Sequence, residues 1–436
     1  MTKAVNIGII GAGTVGGGTA SILLENAGEI TRRTGFPVTL ARVAERDEAR
    51  LKSLDLPEGV GTTDAAQLLA DPKVDIVVEL VGGTGIARDF TLQAFANGKH
   101  VVTANKALVA AHGEELFAAA ARAGVQYRFE AAVGGGIPIL RAVRESFTGD
   151  RIQGLFGIIN GTANYILTEM AENGTDFADV LAEAQELGYA EADPTYDVEG
   201  NDTAHKLAIL IGMAFGGQVS LDDIYTEGIT GIRPVDLAYA EMFGCKLKLL
   251  AIAKDVDGEI EARVHPTMVP ESHLLARVDG VFNAVAVIGD RVGETLFYGQ
   301  GAGAEATGSA VVGDVVDLAR QVAAGSTGVP PMAFQQAERK PLTIRPMARI
   351  ESIYYLHLRV VDRPGVLADI AGAFGRHGIS IARVIQDSQS SGKTVSLVVM
   401  THRAVEQSVQ DALAEISKMD CVSEPTTLIR VEAEDD

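Results

Sequence analysis

The chain has 436 residues, room for two to four domains at roughly 100–200 residues each. Hydrophobic residues make up 47% and charged residues 22%, the balance of a folded globular protein, which excludes global disorder. Lys and Arg number 37 against 58 Asp and Glu, and a net charge of −21 repels phosphate backbones and anionic lipid, so neither nucleic acid nor membrane is expected as a partner.

In chain order, residues 4–10 (AVNIGII) form a continuous apolar run bounded by glycine, which predicts a first strand buried on both faces of a parallel sheet. A leader peptide is a poorer reading of this stretch, because Gly8, Gly11, Gly13 and Gly16 interrupt it. No run reaches the roughly 18–20 apolar residues of a membrane span, and a cytoplasmic protein is expected. Helical spacing follows from Thr14 to Ile30, then an apolar run at Val38–Ala44 and a helix over 63–71. A buried strand within 74–81, a helix over 86–97, a strand at 100–104, an alanine-rich helix over 107–123 and a strand over 126–131 complete the region. Strands alternating with helices predict an α/β domain, a Rossmann-type doubly wound parallel sheet.

The pattern changes near Gly134. Apolar alternation at 152–160 and 262–298, with helices over 176–187 and 202–216, predicts an α+β domain, a sheet with helices on one face. A helix over 307–324 is expected to return to the first domain, and residues 325–349, rich in Gly, Pro and basic residues, read as a linker. From Ser352 the order is strand (353–361), helix (366–376), strand (379–386), strand (393–400), helix (403–417) and strand (427–432), a ferredoxin-like βαββαβ module. The expected domains are therefore 1–133 with the returning helix, 134–306, the linker, and 350–436. Cys245 and Cys421 form no CxxC, so no disulfide framework or cysteine zinc site is expected.

Gly11-Ala12-Gly13-Thr14-Val15-Gly16 is a G-x-G-x-x-G between the first strand and the first helix. The glycines permit a tight turn, a close pyrophosphate and close helix–strand packing, while the helix N-terminus offers free N–H groups to the phosphates. This predicts a dinucleotide; the bland alternative is a glycine-rich turn of another α/β fold. At the end of the second strand Glu45 suits a ribose 2′-hydroxyl and Arg46 a 2′-phosphate; the reading leans to NADP(H), with NAD(H) as the alternative.

Asn105-Lys106 follows a buried strand at the carboxyl edge of the sheet, where open α/β sheets place ligands. Residues 188–206 (GYAEADPTYDVEGNDTAHK) crowd Glu191, Asp193, Asp197, Glu199 and Asp202 into one span. Asp202 and Lys206 stand four apart on one helix face, which suits either a carboxylate orienting a general acid or a plain exposed ion pair. His205 reads as structural. Glu130–Pro138 (EAAVGGGIP) is a carboxylate followed by a glycine turn, compatible with a hard cation and equally with a simple domain crossover. Tyr298–Gly303 (YGQGAG) precedes a helix and suits a close backbone approach to a ligand.

GAGTVG, ANKAL at 104–108, EAAVGGGIP, NGTANYIL at 160–167, the block 188–210 and YGQGAG, together and in this order, resemble the homoserine dehydrogenase family in its monofunctional form with a carboxyl-terminal ACT domain. The resemblance spans essentially the whole chain and implies that 134–306 is the catalytic and dimerisation domain. It implies NAD(P)-dependent interconversion of L-aspartate 4-semialdehyde and L-homoserine, in threonine, methionine and isoleucine biosynthesis. It implies that Lys106 and Lys206 flank the aldehyde, with Lys206 the proton donor and Asp202 beside it, and that Glu191 and Asp197, with Lys106, hold the substrate. It assigns the cofactor to Gly11, Ala12, Gly13, Thr14, Val15, Arg46, Gly82, Lys106 and Gly303. A monovalent cation, Na+ or K+, falls to Glu130 and to the carbonyls of Val133, Gly135 and Ile137. Ala306 departs from the family pattern, which carries proline before the Thr307 position.

Residues 353–386, with the turn Asp362-Arg363-Pro364-Gly365, carry the ACT resemblance. Its implications are edge-to-edge pairing, a homodimer or homotetramer, and threonine as effector; a purely assembling module is the alternative. Two other functions compete: a cofactor-sensing regulator without turnover, and an amino-acid dehydrogenase acting on an α-imine. The first leaves Lys106 and Lys206 without a task. A reductase of the aldehyde needs a hydride donor, a proton donor and stabilisation of charge on oxygen, and two lysines supply the last two.

Overall fold

The structure is a computed structural model that describes residues 4–326, 328–386 and 394–432; the first residue of the expected strand 393–400 lies outside them. Two compact units emerge. The first comprises the chain up to Leu155, Ala204–Leu221 and Phe282–Leu342; the second comprises Phe156–Thr203, Asp222–Val281 and the chain from Thr343.

The first unit is organised by a six-stranded sheet in the order β3-β2-β1-β4-β5-β6, every pairing parallel. Its strands are β1 (Val5–Ile10), β2 (Val38–Ala44), β3 (Gly61–Thr62), β4 (Ile76–Glu79), β5 (His100–Thr103) and β6 (Tyr127–Arg128). The helices between them are α1 (Thr14–Glu25), α2 (Ala27–Thr34), α3 (Glu48–Ser53), α4 (Ala65–Ala70), α5 (Gly85–Ala96) and α6 (Lys106–Ala123). This is the Rossmann-type arrangement the alternation predicts. The single helix expected over 14–30 is two, because Asn26 leaves helical geometry (φ −96°, ψ 13°). The helix Ala304–Ala324 packs along α1, and its Val311, Val315 and Leu318 join Ile7 and Ile9 in one core. The hairpin Phe282–Gly289/Gly293–Gln300 also belongs to this unit.

In the second unit Cys245–Val256 turns through Asp257 and Gly258 into Glu259–Pro270, antiparallel over the full length of both strands. Glu259–Pro270 then pairs in parallel with Thr427–Val431, which is followed in the sheet by Glu351–Val361, Thr394–Thr401 and Ile381–Gln386. The ferredoxin-like module thus extends the sheet of the preceding region. Helices Val366–Arg376 and Glu406–Ile416 cover one face of the module over Leu356, Leu358, Phe374 and Ile416. On the other face helix Pro234–Met242 lies over Tyr355 and His357, and Asp236 Oδ1 accepts from Tyr355 Oη at 2.9 Å. Besides several short elements, three long ones of this unit are absent from the sequence reading: helices Gly161–Asn173 and Pro234–Met242, and strand Cys245–Val256. The strand is disguised by Lys246, Lys248 and Lys254. Lys248 is 2% exposed, its ammonium held by the carbonyl of Val278 and the carboxylate of Asp279. No helix among the described residues is long and apolar enough to cross a membrane.

Candidate active site

The carboxyl ends of β1, β2 and β4 open onto a cavity of about 580 Å³. Its walls include Gly11, Gly13, Glu45, Arg46, Arg50, Asp64, Leu80 and Ile86. Gly11 has φ +92°, and a β-carbon there would stand 2.7 Å from the carbonyl oxygen of Leu80, so only glycine makes this turn. Gly13 is the N-cap of α1 and supplies no side chain, which leaves the N-terminal amides of Thr14 and Val15 facing outward for an anion.

Glu45 is tied into the loop by two main-chain amides. One carboxylate oxygen accepts the N–H of Ala12 at 2.8 Å and the other the N–H of Asp47 at 3.0 Å. Partial burial works to raise its pKa, but those amides and the Arg50 guanidinium outweigh it and hold the carboxyl below its ordinary value. Glu45 therefore fixes the glycine loop to the end of β2, leaving Arg46 and Arg50 as the exposed cations of this wall. Arg50 is absent from the sequence reading. The signal was there: Asp47 caps α3 through the amides of Ala49 and Arg50, which puts residue 50 on the first turn.

Lys106 is the first residue of α6 and is half-buried. Asn105 caps that helix by accepting from Leu108 N, and its Nδ2 donates to the carbonyl of Gly83 at 2.6 Å. Behind it, the Thr103 hydroxyl donates to Glu79 Oε2 at 2.8 Å and accepts from Asn105 N at 3.0 Å. The other Glu79 oxygen takes the N–H of Val81 at 2.8 Å. This chain of bonds, also absent from the sequence reading, ties the Gly82–Gly83 turn to the start of α6. Burial drives the Glu79 pKa up against the pull of those donors. Lys206, half-buried, and Asp202, 3% exposed, lie on the helix Asn201–Ala214.

The turn Glu130–Pro138 lies against Tyr298–Gly303. Gly136 N donates to Gln300 O at 3.0 Å, and Gly135 (φ +55°) backs onto the peptide of Gly301 with no room for a β-carbon. The Glu130 side chain is committed elsewhere: its oxygens accept from Leu140 N at 2.9 Å and Arg141 N at 2.7 Å. Burial and the Asp314 carboxylate push its pKa up to about 7. The carbonyl of Ile137 accepts from Ile139 N and that of Glu130 from Val133 N, whereas no backbone amide among the described residues donates to those of Val133 and Gly135. The oxygens suited to a hard cation in this turn are thus the Val133 and Gly135 carbonyls and the remaining lone pairs of the Glu130 carboxylate. Gly303 is the N-cap of Ala304–Ala324, and Ala306 packs on Gly136.

In the second unit, Asn160 Nδ2 donates at 2.8 Å to both Asp197 Oδ1 and Asp202 Oδ2, while its Oδ1 caps the helix Gly161–Asn173 by accepting from Ala163 N. NGTANYIL and the acidic block are thereby one construction. Tyr196 between these carboxylates has its phenol pushed up by burial and by Asp202 and Asp197. Glu191 is exposed, and its carbonyl accepts from Gln185 Nε2. Among the described residues no His, Cys, Asp and Glu side chains cluster as a metal site.

Comparison with known proteins adds that residues 138–316 match homoserine dehydrogenase, 11–130 the homoserine dehydrogenase NAD-binding domain and 354–420 the ACT domain. The homoserine dehydrogenase of Neisseria gonorrhoeae is 49% identical over 99% of both chains. The chain belongs to the homoserine dehydrogenase family. A crystal structure of a homoserine dehydrogenase from Thiobacillus denitrificans superposes with a TM-score of 0.93 at 49% identity, covering 99% of this chain and 98% of that one. A hyperthermophilic archaeal homoserine dehydrogenase in complex with NADPH matches 72% of this chain and 97% of its own at 27% identity and a TM-score of 0.62. Homoserine dehydrogenases are NAD(P)-dependent oxidoreductases acting on a CH–OH group, and both the nucleotide-binding fold and the ACT module expected from the sequence are present.

Proposed function

We propose that this homoserine dehydrogenase works mainly with NADPH, reducing L-aspartate 4-semialdehyde through Lys106 and Lys206. The observation that carries the cofactor preference is the commitment of Glu45 to the amides of Ala12 and Asp47, which leaves Arg46 and Arg50 as the groups at the end of β2 suited to a 2′-phosphate. Gly11, Ala12, Gly13, Thr14, Val15, Gly82 and Gly303 supply the close backbone approach. When bound, the reduced nicotinamide supplies a hydride to the aldehyde carbon. The Lys206 ammonium donates a proton to the resulting alkoxide oxygen, and Lys106 stabilises the charge growing there. Asp202 orients Lys206 from one turn earlier on the same helix, and Glu191 and Asp197 take the substrate's ammonium and hydroxyl.

A monovalent cation in the 130–137 turn is part of the same reading, held by Glu130 with the carbonyls of Val133, Gly135 and Ile137. Threonine is the proposed effector of the ACT module, and a cytoplasmic homodimer or homotetramer the proposed assembly. Paired NADPH and NADH titrations with aspartate semialdehyde and a panel of oxo acids test the core of the proposal. Equal use of both nucleotides removes the 2′-phosphate reading, and a faster oxo acid removes the substrate. Unchanged turnover across a threonine titration of the full chain removes the effector.

A further inference from the structure

Residues 328–342 do not run free through solvent. Val329 O accepts from Arg128 Nη2 on β6 at 3.2 Å, which fixes the start of the segment. Farther on, Gln336 Nε2 donates to Glu114 Oε2 at 3.2 Å, and Arg339, its side chain 3% exposed, forms an ion pair with Glu114. The Arg339 guanidinium lies over the Phe117 ring, 5.6 Å from its centre, and Nη2 donates to Gly217 O at 3.4 Å. Lys340 and Pro341 then pair in parallel with Gly217 and Gln218, and Leu342 N donates to Gln218 O at 3.0 Å. Glu114 and Phe117 belong to α6; Gly217 and Gln218 follow the helix Asn201–Ala214.

The second helix and the turn that follows it are cut to receive the segment. A β-carbon at Gly212 would meet the methyl of Met332 at 2.8 Å, and one at Gly216 the Phe334 ring at 2.9 Å. At Gly217 it would collide with the carbonyl of Lys340. Met332 is 5% exposed, roofing a cavity of about 260 Å³ lined by Val109, His112, Ala208, Ile209 and Gly212. Glycines at three positions and a buried arginine at a fourth serve this one contact.

We infer that residues 328–342 are a strap that sets the relative placement of the two lysine-bearing helices, with Arg339 as its positioning residue. The inference rests on the reading that Lys106 and Lys206 carry the reaction. Glu114 is eight residues beyond Lys106 on α6, about 12 Å along the axis at 1.5 Å per residue. Gly212 is six beyond Lys206, about 9 Å. A helix behaves as a rod over such spans, so a grip on its far part fixes the amine at its near part. Positional errors of about 1 Å cost up to a hundredfold in rate, so a grip of this kind acts on kcat.

The test compares Arg339→Ala and Arg339→Lys with the wild type in kcat, KM, NADPH dissociation constant, thermal midpoint and the isotope effect on kcat with 4-deuterated NADPH. Arg339→Ala is expected to lower kcat by about tenfold and raise the isotope effect as the chemical step slows. NADPH affinity is expected to stay within about twofold. Arg339→Lys keeps the charge without the planar fork and the ring stacking, and is expected to recover only part of the rate. A lower midpoint with kcat and isotope effect unchanged overturns the inference, as does a loss confined to NADPH affinity. Should Arg339→Ala not fold, Glu114→Gln is judged by the same criteria. Lys206→Ala run alongside separates the two readings. Normal turnover there removes the lysine assignment, whereas loss there with normal turnover in Arg339→Ala removes the strap alone.

Discussion

In the nucleotide cleft Arg46 and Arg50 are exposed, and the groups suited to phosphate are main-chain amides at the start of α1. In the seam between Glu259–Pro270 and Thr427–Val431 the arginines are sealed instead: Arg263 is 2% and Arg430 1% exposed. Arg430 donates to both oxygens of Glu406 at 2.9 and 2.7 Å and to Glu227 at 3.0 Å, and its guanidinium stacks on Tyr225. Arg263 pairs with Glu261 at 3.1 Å and lies 3.6 Å from Glu432. A cleft that must exchange a charged ligand keeps its cations wet and lets fixed dipoles do the holding. A junction that must not open neutralises its ions internally, and each ion then depends on its partner.

The largest effect is expected at the seam. Arg430→Ala leaves the buried Glu406 carboxylate without its cation, and a loss of about 3–5 kcal/mol is expected, read as a fall in thermal midpoint. If Arg430→Ala melts like the wild type, the seam is not held by its ions. Lys206→Ala should act on the other side of the comparison, lowering turnover at least about a hundredfold, or about 2.7 kcal/mol, with NADPH affinity intact. Weaker cofactor binding with normal turnover would contradict its role as proton donor. Arg50→Ala is expected to raise the NADPH dissociation constant about tenfold, or about 1.4 kcal/mol, and to leave NADH unchanged. An equal rise for both nucleotides would place Arg50 on the shared diphosphate.

The smallest effect is in the pH profile, where the two regions should move in opposite directions. Burial raises Glu79 above its ordinary value, so its contribution is complete below about pH 4.5 and fades as the pH climbs through the folded value. Glu406 is pushed up by burial but held below its ordinary value by Arg430, Gln410 and Tyr354. Its contribution is complete above about pH 4.5 and fades on acidification through the folded value. Glu79→Gln should flatten the midpoint–pH curve where the pH climbs above about 4.5, and Glu406→Gln where it falls below about 4.5. Parallel changes in both would show that neither carboxyl titrates as its surroundings dictate.

The cleft was legible because its logic is periodic. AVNIGII, the glycine spacing and the alternation up to β6 all report backbone constraints, which survive in sequence as residue types. Side-chain partnerships do not. Nothing in EAAVGGGIP says that the Glu130 carboxylate would turn away to the amides of Leu140 and Arg141. Asn160 could be quoted within a motif, but its bridge to Asp197 and Asp202, 37 and 42 residues onward, exists only after folding. Strand Cys245–Val256 hid because a buried lysine reads as a surface one until its carbonyl and carboxylate partners are found. Residues 325–349 read as a linker on composition, and composition does not register that Arg339 is stacked and paired.

The parallel pairing of Thr267 and Met268 with Arg430 and Val431 has a practical corollary. A chain shortened to stop near residue 349 would lose the strand that pairs with Thr267 and Met268. It would bare the main-chain donors and acceptors of an apolar edge around Met268 and Val269, together with a guanidinium at 263 deprived of Glu432. Unpaired edges of that kind recruit other chains, so any change of activity in such a fragment would be confounded by self-association. Point changes within the module, with Thr427–Val431 left in place, are the sounder way to ask what the module does for catalysis.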